Sequence, residues 1–185
     1  MAEERHSAAE VKQRIEAEHV TVNGKNGEPY LLRPIRPSDA PSLMRGYDAL
    51  SDESKWFRML HAVPHLSESM AKEFCSPDPE RDICLVIEGR GVLTGEILGG
   101  ARIAGREKSD SVEFSVSLRP EAQGLGLARQ ALEATLAAAA EMGYRSVWGT
   151  ISVRNKPMLG LAERMGFSLR SDPDDRSLML AERTL

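Results

Sequence analysis

The chain has 185 residues, enough for one domain with a substantial core, and its 41% hydrophobic and 28% charged residues are those of an ordinary globular protein. The formal net charge of −4 provides no overall positive field for binding nucleic acid or an anionic membrane. No apolar run approaches the roughly 18 residues of a membrane span, and the charged N-terminus lacks the apolar segment of a signal peptide.

The predicted elements begin with residues 1–19, a charged and weakly amphipathic segment that is interpreted as an N-terminal helical extension or a tail. Residues 20–35 contain an Asn/Gly turn between two runs of strand-forming residues, which predicts two short strands. Three helical segments follow, and their predicted N-caps are Ser38 or Asp39, Ser51, and Ser67.

The second half of the chain alternates strands and helices. Three strands with turn signals between them are predicted at 82–88, 95–104 and 111–118. A long Ala/Leu-rich helix begins after Gly126 and is expected to end at Gly143. A strand, a helix and two further strands are then predicted at 146–152, 155–166, 167–170 and 177–182. This order, without an internal repeat, predicts an α/β or α+β sheet with helices on its faces.

A glycine-rich hexamer, Gln123-Gly124-Leu125-Gly126-Leu127-Ala128, joins the strand at 111–118 to the long helix. Backbone N–H groups at a helix N-terminus attract phosphate, and glycines remove the Cβ atoms that would keep it away. A Walker A loop needs Lys and Ser/Thr after its last glycine, and a Rossmann fingerprint needs Gly or Ala where Arg129 stands. An ordinary strand-to-helix turn and a loop facing a pyrophosphate remain as alternatives.

Two motifs together carry a resemblance to a known family. The hexamer has the form Q/R-x-x-G-x-G/A, and Asn155 is followed eleven residues later by Gly166 and Phe167. With both motifs, residues 20–183 resemble the GNAT superfamily of acyl-CoA-dependent N-acyltransferases. Within that superfamily the sequence is similar to the acyltransferase domain of bacterial protein-lysine acetyltransferases, which modify acyl-CoA synthetases.

The resemblance implies a GNAT-type fold, a central mixed and mostly antiparallel sheet flanked by helices, in a domain over residues 20–185. It also implies acetyl-CoA as the cosubstrate, with its pyrophosphate on the hexamer Gln123 to Ala128. The backbone of Val116 and Leu118 would hydrogen-bond the pantetheine arm like an added strand, and an N–H near Val116 would polarise the thioester carbonyl. Asn155 would contact the CoA arm or cap its own helix.

The narrower group uses as general base a glutamate on the strand before the loop, where Glu113 stands. A lysine amine has a pKa near 10.4 and is protonated at neutral pH, so a base must take its proton as the amine attacks. The residues themselves also allow a solvated strand glutamate, and Glu96 and Glu121 are the other nearby carboxylates.

The tyrosine that many GNAT members use to protonate the leaving thiolate is replaced by Ala162, as is common in the narrower group. A thiol pKa near 8.5 makes the thiolate a fair leaving group, and Ser152 or a water would serve otherwise. On the acceptor side, residues 51–64 are expected to form a wall with contacts from Lys55 and Arg58, whereas the aromatic residues Trp56 and Phe57 fit a buried helix face.

The leading functional hypothesis is acetyl transfer from acetyl-CoA to lysine side chains of a protein such as an acyl-CoA synthetase, by direct attack in a ternary complex. The alternatives are acetylation of a small amine, a catalytically silent acyl-CoA-binding module, and, disfavoured by the failed Walker and Rossmann patterns, a nucleotide-binding regulatory domain.

The remaining expectations concern location and metal. Cys75 and Cys84 favour a reducing compartment over a disulfide framework, which predicts a cytoplasmic protein. His61 and His65 are spaced for a metal on a helix, but Pro64 between them argues against a helix there. We therefore expect no metal, no nucleic-acid partner and no membrane partner.

Overall fold

The computed structural model describes residues 6–185, so residues 1–5 of the predicted N-terminal extension lie outside the described residues. The α-helices of the described chain are α1 (Ala8–Glu18), α2 (Ala40–Asp48), α3 (Asp52–Met59), α4 (Glu68–Phe74), α5 (Leu127–Glu141) and α6 (Lys156–Arg164). Its strands are β1 (Thr21–Asn23), β2 (Pro29–Pro34), β3 (Ile83–Glu88), β4 (Ile97–Gly105), β5 (Ser111–Leu118), β6 (Ser146–Ser152), β7 (Ser168–Ser171) and β8 (Leu178–Thr184).

The strands form one sheet in the order β1-β2-β3-β4-β5-β6-β8-β7. Neighbouring strands run antiparallel except β5 and β6, which are parallel and are connected by α5. A parallel pair needs such a crossover because the chain must return to the same end of the sheet. The predicted fold class, a mixed and mostly antiparallel sheet flanked by helices, is confirmed.

The sheet opens between its two parallel strands. β5 pairs with β4 from Val112 to Leu118, but it pairs with β6 only from Ser111 to Glu113. Where the two strands part, the Phe114 ring packs over Gly149, at which a Cβ would come within 2.6 Å of the ring. Residue 149 must therefore be small, and beyond it a gap separates β5 from β6.

Helices cover both faces of the sheet. The main core lies under α1 and α5, and the three apolar residues of the N-terminal segment, Ala8, Val11 and Ile15, are buried in it. Of the two alternatives for that segment, a helix therefore forms over Ala8–Glu18. A second apolar cluster lies between α2 and α4, with Tyr47 and Ala71 among its buried residues. This second layer borders the site described below.

The predicted side-chain cap of α2 is wrong. The Asp39 carboxylate forms a buried ion pair with Arg33 at 2.8 Å and accepts a hydrogen bond from the Arg36 N–H at 2.7 Å, and it does not cap the helix. The hydrogen bonds to Asp39 raise the pKa of the Arg33 guanidinium; burial acts in the opposite direction, and a second carboxylate, Glu88, adds to the increase. Asp39 is thus recruited to attach α2 to β2, an interaction between elements that a local capping rule does not include.

The caps of the next two helices follow the sequence rule. The Ser54 N–H donates to Ser51 Oγ at 3.1 Å, and the Met70 N–H donates to Ser67 Oγ at 3.2 Å. Each serine satisfies an N–H that has no acceptor within its own helix. These caps fix where α3 and α4 begin on the second face of the sheet.

Candidate active site

The gap between β5 and β6 leaves part of the β5 backbone unpaired. The Arg119 N–H donates to the Leu98 carbonyl at 2.8 Å, on the side of β4. Backbone groups of alternate residues in a strand point to opposite neighbours, so those of Val116 and Leu118 point away from β4. Both side chains are partly buried against the main core. The backbone of the two predicted pantetheine-binding residues therefore faces the gap.

The glycine-rich loop lies at the end of this gap. Gly124 and Gly126 have φ values of 76° and 77°, a left-handed conformation that other residues adopt at a cost, and Gly126 is the N-cap of α5. None of the described residues has a backbone carbonyl that accepts from the N–H of Gly124, Leu125 or Gly126. The first N–H groups of α5, at Leu127 and Ala128, have no acceptor within a helix. The loop therefore presents a row of free donors.

The other loop residues hold this conformation. Gln123 Nε2 donates to the Leu118 carbonyl at 3.1 Å, so its side chain braces the loop against β5. The Leu127 side chain is fully buried, which leaves only its backbone for a ligand. Leu125 accepts from the Lys25 N–H at 3.0 Å, and the Lys25 side chain passes 3.6 Å from the position of a Cβ on Gly126. Lys25 is therefore a cation beside the loop. It was not predicted from the sequence, because no local pattern in the β1–β2 turn indicates that the turn packs against the glycine-rich loop.

Glu113 lies on the exposed face of β5, opposite Val112 and Phe114. It lines a pocket, which we call the strand gap, whose further lining residues are Phe57, Arg58, Leu60, Phe114, Ser115, Val116, Thr150, Ile151, Asn155 and Met158. In residues 6–185, no side chain forms an ion pair or a hydrogen bond with the Glu113 carboxylate. A free carboxylate thus stands beside the unpaired backbone of β5.

The other two carboxylates considered as bases are placed differently. Glu96 is bound by Arg45, Arg119 and Ser42, and these hydrogen bonds lower its pKa to about 2. A carboxylate with so low a pKa is a weak proton acceptor. Glu121 is exposed after β5, with an oxygen 3.9 Å from the Arg119 guanidinium. Of the three, Glu113 alone lines the strand gap.

Asn155 caps its own helix, which is one of its two predicted roles. Its Oδ1 accepts from the Met158 N–H at 3.2 Å, so it caps α6, and it also lines the strand gap. The capping bond is observed, whereas contact with a CoA arm stays a prediction. Ala162 is fully buried in the main core, and Ser152 is buried with its Oγ accepting from the Arg154 N–H at 3.3 Å.

Replacing Asn155 with alanine should lower the free energy of unfolding by about 1 kcal/mol, because the Met158 N–H loses its acceptor. Urea denaturation would measure the change. Asn155→Asp keeps an oxygen that can cap and should recover most of the stability. An alanine variant as stable as the parent would contradict a structural contribution from this cap.

Next to the strand gap lies a second pocket, which extends between the sheet and the layer of α2–α4. We call it the arginine-lined cavity because Arg58, Arg102 and Arg119 line it together with Cys84, Ser115 and Ser117. The rest of its wall is mostly apolar, including Tyr47 and Phe74. The sequence analysis singled out only Arg58 of these arginines, since nothing local predicts that the three meet.

Two of the predictions for side chains on α3 differ from the structure. Trp56 is 45% exposed, so the core position predicted for it is wrong, while Phe57 is partly buried and lines the strand gap. Lys55 donates through Nζ to the Pro64 carbonyl at 3.0 Å and lies over the Tyr47 ring. Lys55 is therefore engaged inside the layer, and Arg58 is the cation of this helix that reaches the site.

Two further observations concern metal binding and membrane spanning. Within residues 6–185 no three His, Cys, Asp or Glu side chains come together as ligands for a metal ion. The helices of the described chain include none with the length and apolar content needed to cross a membrane.

Comparison with known proteins places this geometry in a family. Residues 30–168 match the family described as the acetyltransferase (GNAT) domain. The chain is 24% identical over 168 residues to the acetyltransferase PA5475 of Pseudomonas aeruginosa, which covers 90% of this chain and 89% of the relative.

Solved structures agree in fold. The GNAT domain of S. lividans PAT is 25% identical with a TM-score of 0.80, and the match covers 90% of this chain and 96% of that domain. RimJ of Mycobacterium smegmatis, solved with CoA-disulfide, is 19% identical with a TM-score of 0.68 over 89% of this chain and 86% of its own. The family match covers residues 30–168, most of the chain, so the chain belongs to the GNAT family of acetyltransferases.

Proposed function

We propose that this protein transfers the acetyl group of acetyl-CoA to lysine side chains of a protein acceptor, with Glu113 as the general base. The observation that carries the proposal is the free Glu113 carboxylate in the strand gap, beside the unpaired backbone of β5. The acceptor and the cosubstrate would meet there in a ternary complex.

The cosubstrate would lie along the gap. The backbone of Val116 and Leu118 would bind its pantetheine arm, Asn155 would border that arm, and the free N–H groups of the loop from Gly124 to Ala128 would bind its pyrophosphate. The fit rests on donors that the protein itself leaves without acceptors at the loop. Acetyl-CoA supplies an activated acyl group, and the protein supplies its position.

The amine must lose a proton to attack. Glu113 would accept that proton as the amine nitrogen bonds the thioester carbon and the carbon–sulfur bond breaks. The sulfur leaves as a thiolate, whose conjugate acid has a pKa near 8.5, so a protein acid is dispensable at neutral pH. This chemistry is compatible with the buried Ala162 at the position of the missing tyrosine.

A protein acceptor is favoured by the likeness to the GNAT domain of PAT and by the similarity of the sequence to protein-lysine acetyltransferases. An acyl-CoA synthetase is the acceptor class that this similarity suggests, and a cytoplasmic location remains a prediction of the sequence. Acetylation of a small amine is the second candidate, favoured by the arginine-lined cavity, because a mostly apolar pocket with a few polar groups is typical of small-ligand sites.

Labelled acetyl-CoA tests these functions. We expect a folded acyl-CoA synthetase to be labelled on lysine much faster than free lysine or spermidine at equal amine concentration, because contacts remote from the amine help to position it. Mass spectrometry would locate the modified residue. Faster labelling of small amines than of every protein tested would replace the proposal with the small-amine alternative, and binding without any transfer would indicate a silent module.

A further inference from the structure

The arginine-lined cavity holds one guanidinium without a counter-charge. Arg102 Nη2 lies 2.5 Å from Asp82, and Arg119 Nη2 lies 2.9 Å from Glu96, so two of the three arginines are paired. Arg58 has no carboxylate partner within residues 6–185, and its guanidinium stacks 5.8 Å from the centroid of the Phe74 ring. Of the described residues that line the cavity, none is an Asp or a Glu.

The surroundings of Arg58 make its charge costly in the absence of an anion. Burial lowers the pKa of the Arg58 guanidinium below its usual value, and the nearby charge of Arg102 acts in the same direction. Both effects would be relieved by an anion close to the two arginines. Arg102 also has a buried Nε without an acceptor, a second donor that the protein does not satisfy.

The position of Arg58 connects this charge to the reaction. Arg58 and Ser115 line both the arginine-lined cavity and the strand gap, in which Glu113 lies. An acceptor whose amine reaches Glu113 can therefore extend its next atoms into the cavity past Arg58. The apolar wall of the cavity suits the methylene groups between two polar ends.

We propose that Arg58, assisted by Arg102, binds a carboxylate of the acceptor, so that the preferred substrate carries an acidic group close to the amine that is acetylated. In a protein acceptor this group is an Asp or Glu side chain next to the target lysine. The inference rests on the proposed acetyl transfer to amines. A planar guanidinium bonds a carboxylate through two parallel N–H groups, which fixes the orientation of the acceptor as well as binding it.

Matched peptides test the inference. Two peptides would each contain one lysine, flanked in one by glutamates and in the other by glutamines, with blocked ends and saturating acetyl-CoA. We expect kcat/KM to be about tenfold higher for the glutamate peptide, the usual order of effect for a charged hydrogen bond. The difference should lie mainly in KM, since the carboxylate is bound before and during the reaction.

Variants of one helix identify the residue responsible. Arg58→Met keeps the apolar stem over Phe74 and should abolish the preference, so that kcat/KM becomes equal for the glutamate and glutamine peptides. Arg58→Lys keeps a charge and should retain part of the preference. Lys55→Met removes a charge from the same helix outside the cavity and should keep the full preference. Thermal unfolding would show that each variant is folded.

The outcomes separate this inference from the proposed function. Equal kcat/KM on both peptides in the parent, or an unchanged preference in Arg58→Met, would overturn the carboxylate site while leaving lysine acetylation intact. A parallel pair, β-alanine and its amide, covers small acceptors. If neither peptide is acetylated but β-alanine is strongly preferred over its amide, the carboxylate site is supported and the protein acceptor is wrong. Equal rates on that pair, with inert peptides, would overturn both.

Discussion

Turnover by Glu113→Gln is expected to fall about 10²–10⁴-fold, the usual contribution of a general base. Glutamine keeps the shape of the side chain but cannot accept the proton of the amine. Affinity for acetyl-CoA should be nearly unchanged, because the predicted contacts of the cosubstrate are made by the β5 backbone and the loop. Steady-state rates at saturating substrates, together with calorimetry of acetyl-CoA binding, would measure both quantities.

Glu121→Gln provides the matched control. It removes a carboxylate just beyond the end of the same strand, where the side chain is exposed and 3.9 Å from Arg119, and it should leave turnover nearly intact. If Glu113→Gln turned over at a near-normal rate from pH 6 to 9, another group or the solvent would be the base, and the assigned role of Glu113 would be wrong.

The second large effect is expected at the loop. Gly126→Asp places a negative charge where we propose that the pyrophosphate binds. Two unit charges about 4 Å apart interact by about 4 kcal/mol at an effective dielectric constant of 20, and each 1.4 kcal/mol is tenfold in affinity. We therefore expect acetyl-CoA affinity to fall about 10²–10³-fold, as measured by calorimetry.

The control for this variant separates charge from bulk. Asn and Asp are similar in size, and both tolerate the left-handed backbone of residue 126 better than most residues. Gly126→Asn should therefore lose much less affinity. In Gly126→Asp the new carboxylate would also lie beside Lys25, whose side chain passes 3.6 Å from the position of a Cβ on residue 126. The charge of Lys25 next to the ligand would then be neutralised. A folded Gly126→Asp protein with normal affinity would exclude the loop as the phosphate site.

Local signals were sufficient for most of the fold. The strands predicted at 111–118 and 146–152 have the observed bounds of β5 and β6, because strand patterning depends on residues that are neighbours in the chain. The loop was recognised for the same reason, since its glycines and the helix that follows are adjacent in the chain.

Features that depend on distant residues were not predicted. Arg58, Arg102 and Arg119 come from α3, β4 and the turn after β5, and only the folded sheet brings them to one cavity. Ser38 or Asp39 was predicted to cap α2 because the capping rule considers one helix at a time, whereas Asp39 pairs with Arg33 on β2. Trp56 was predicted to be buried because apolar spacing shows which residues share a helix face but not how closely the sheet approaches that face.

The opening between β5 and β6 has a consequence for how much folded protein a cell contains. A cosubstrate that pairs with the free backbone of β5 binds the folded chain and not the unfolded one. At a free concentration of 100 times its dissociation constant, such a ligand raises the free energy of unfolding by about 2.7 kcal/mol. Domains are typically stable by only about 5–15 kcal/mol, so this is a large share. Supply of the acyl donor would thereby influence the survival of the enzyme against proteolysis as well as its rate.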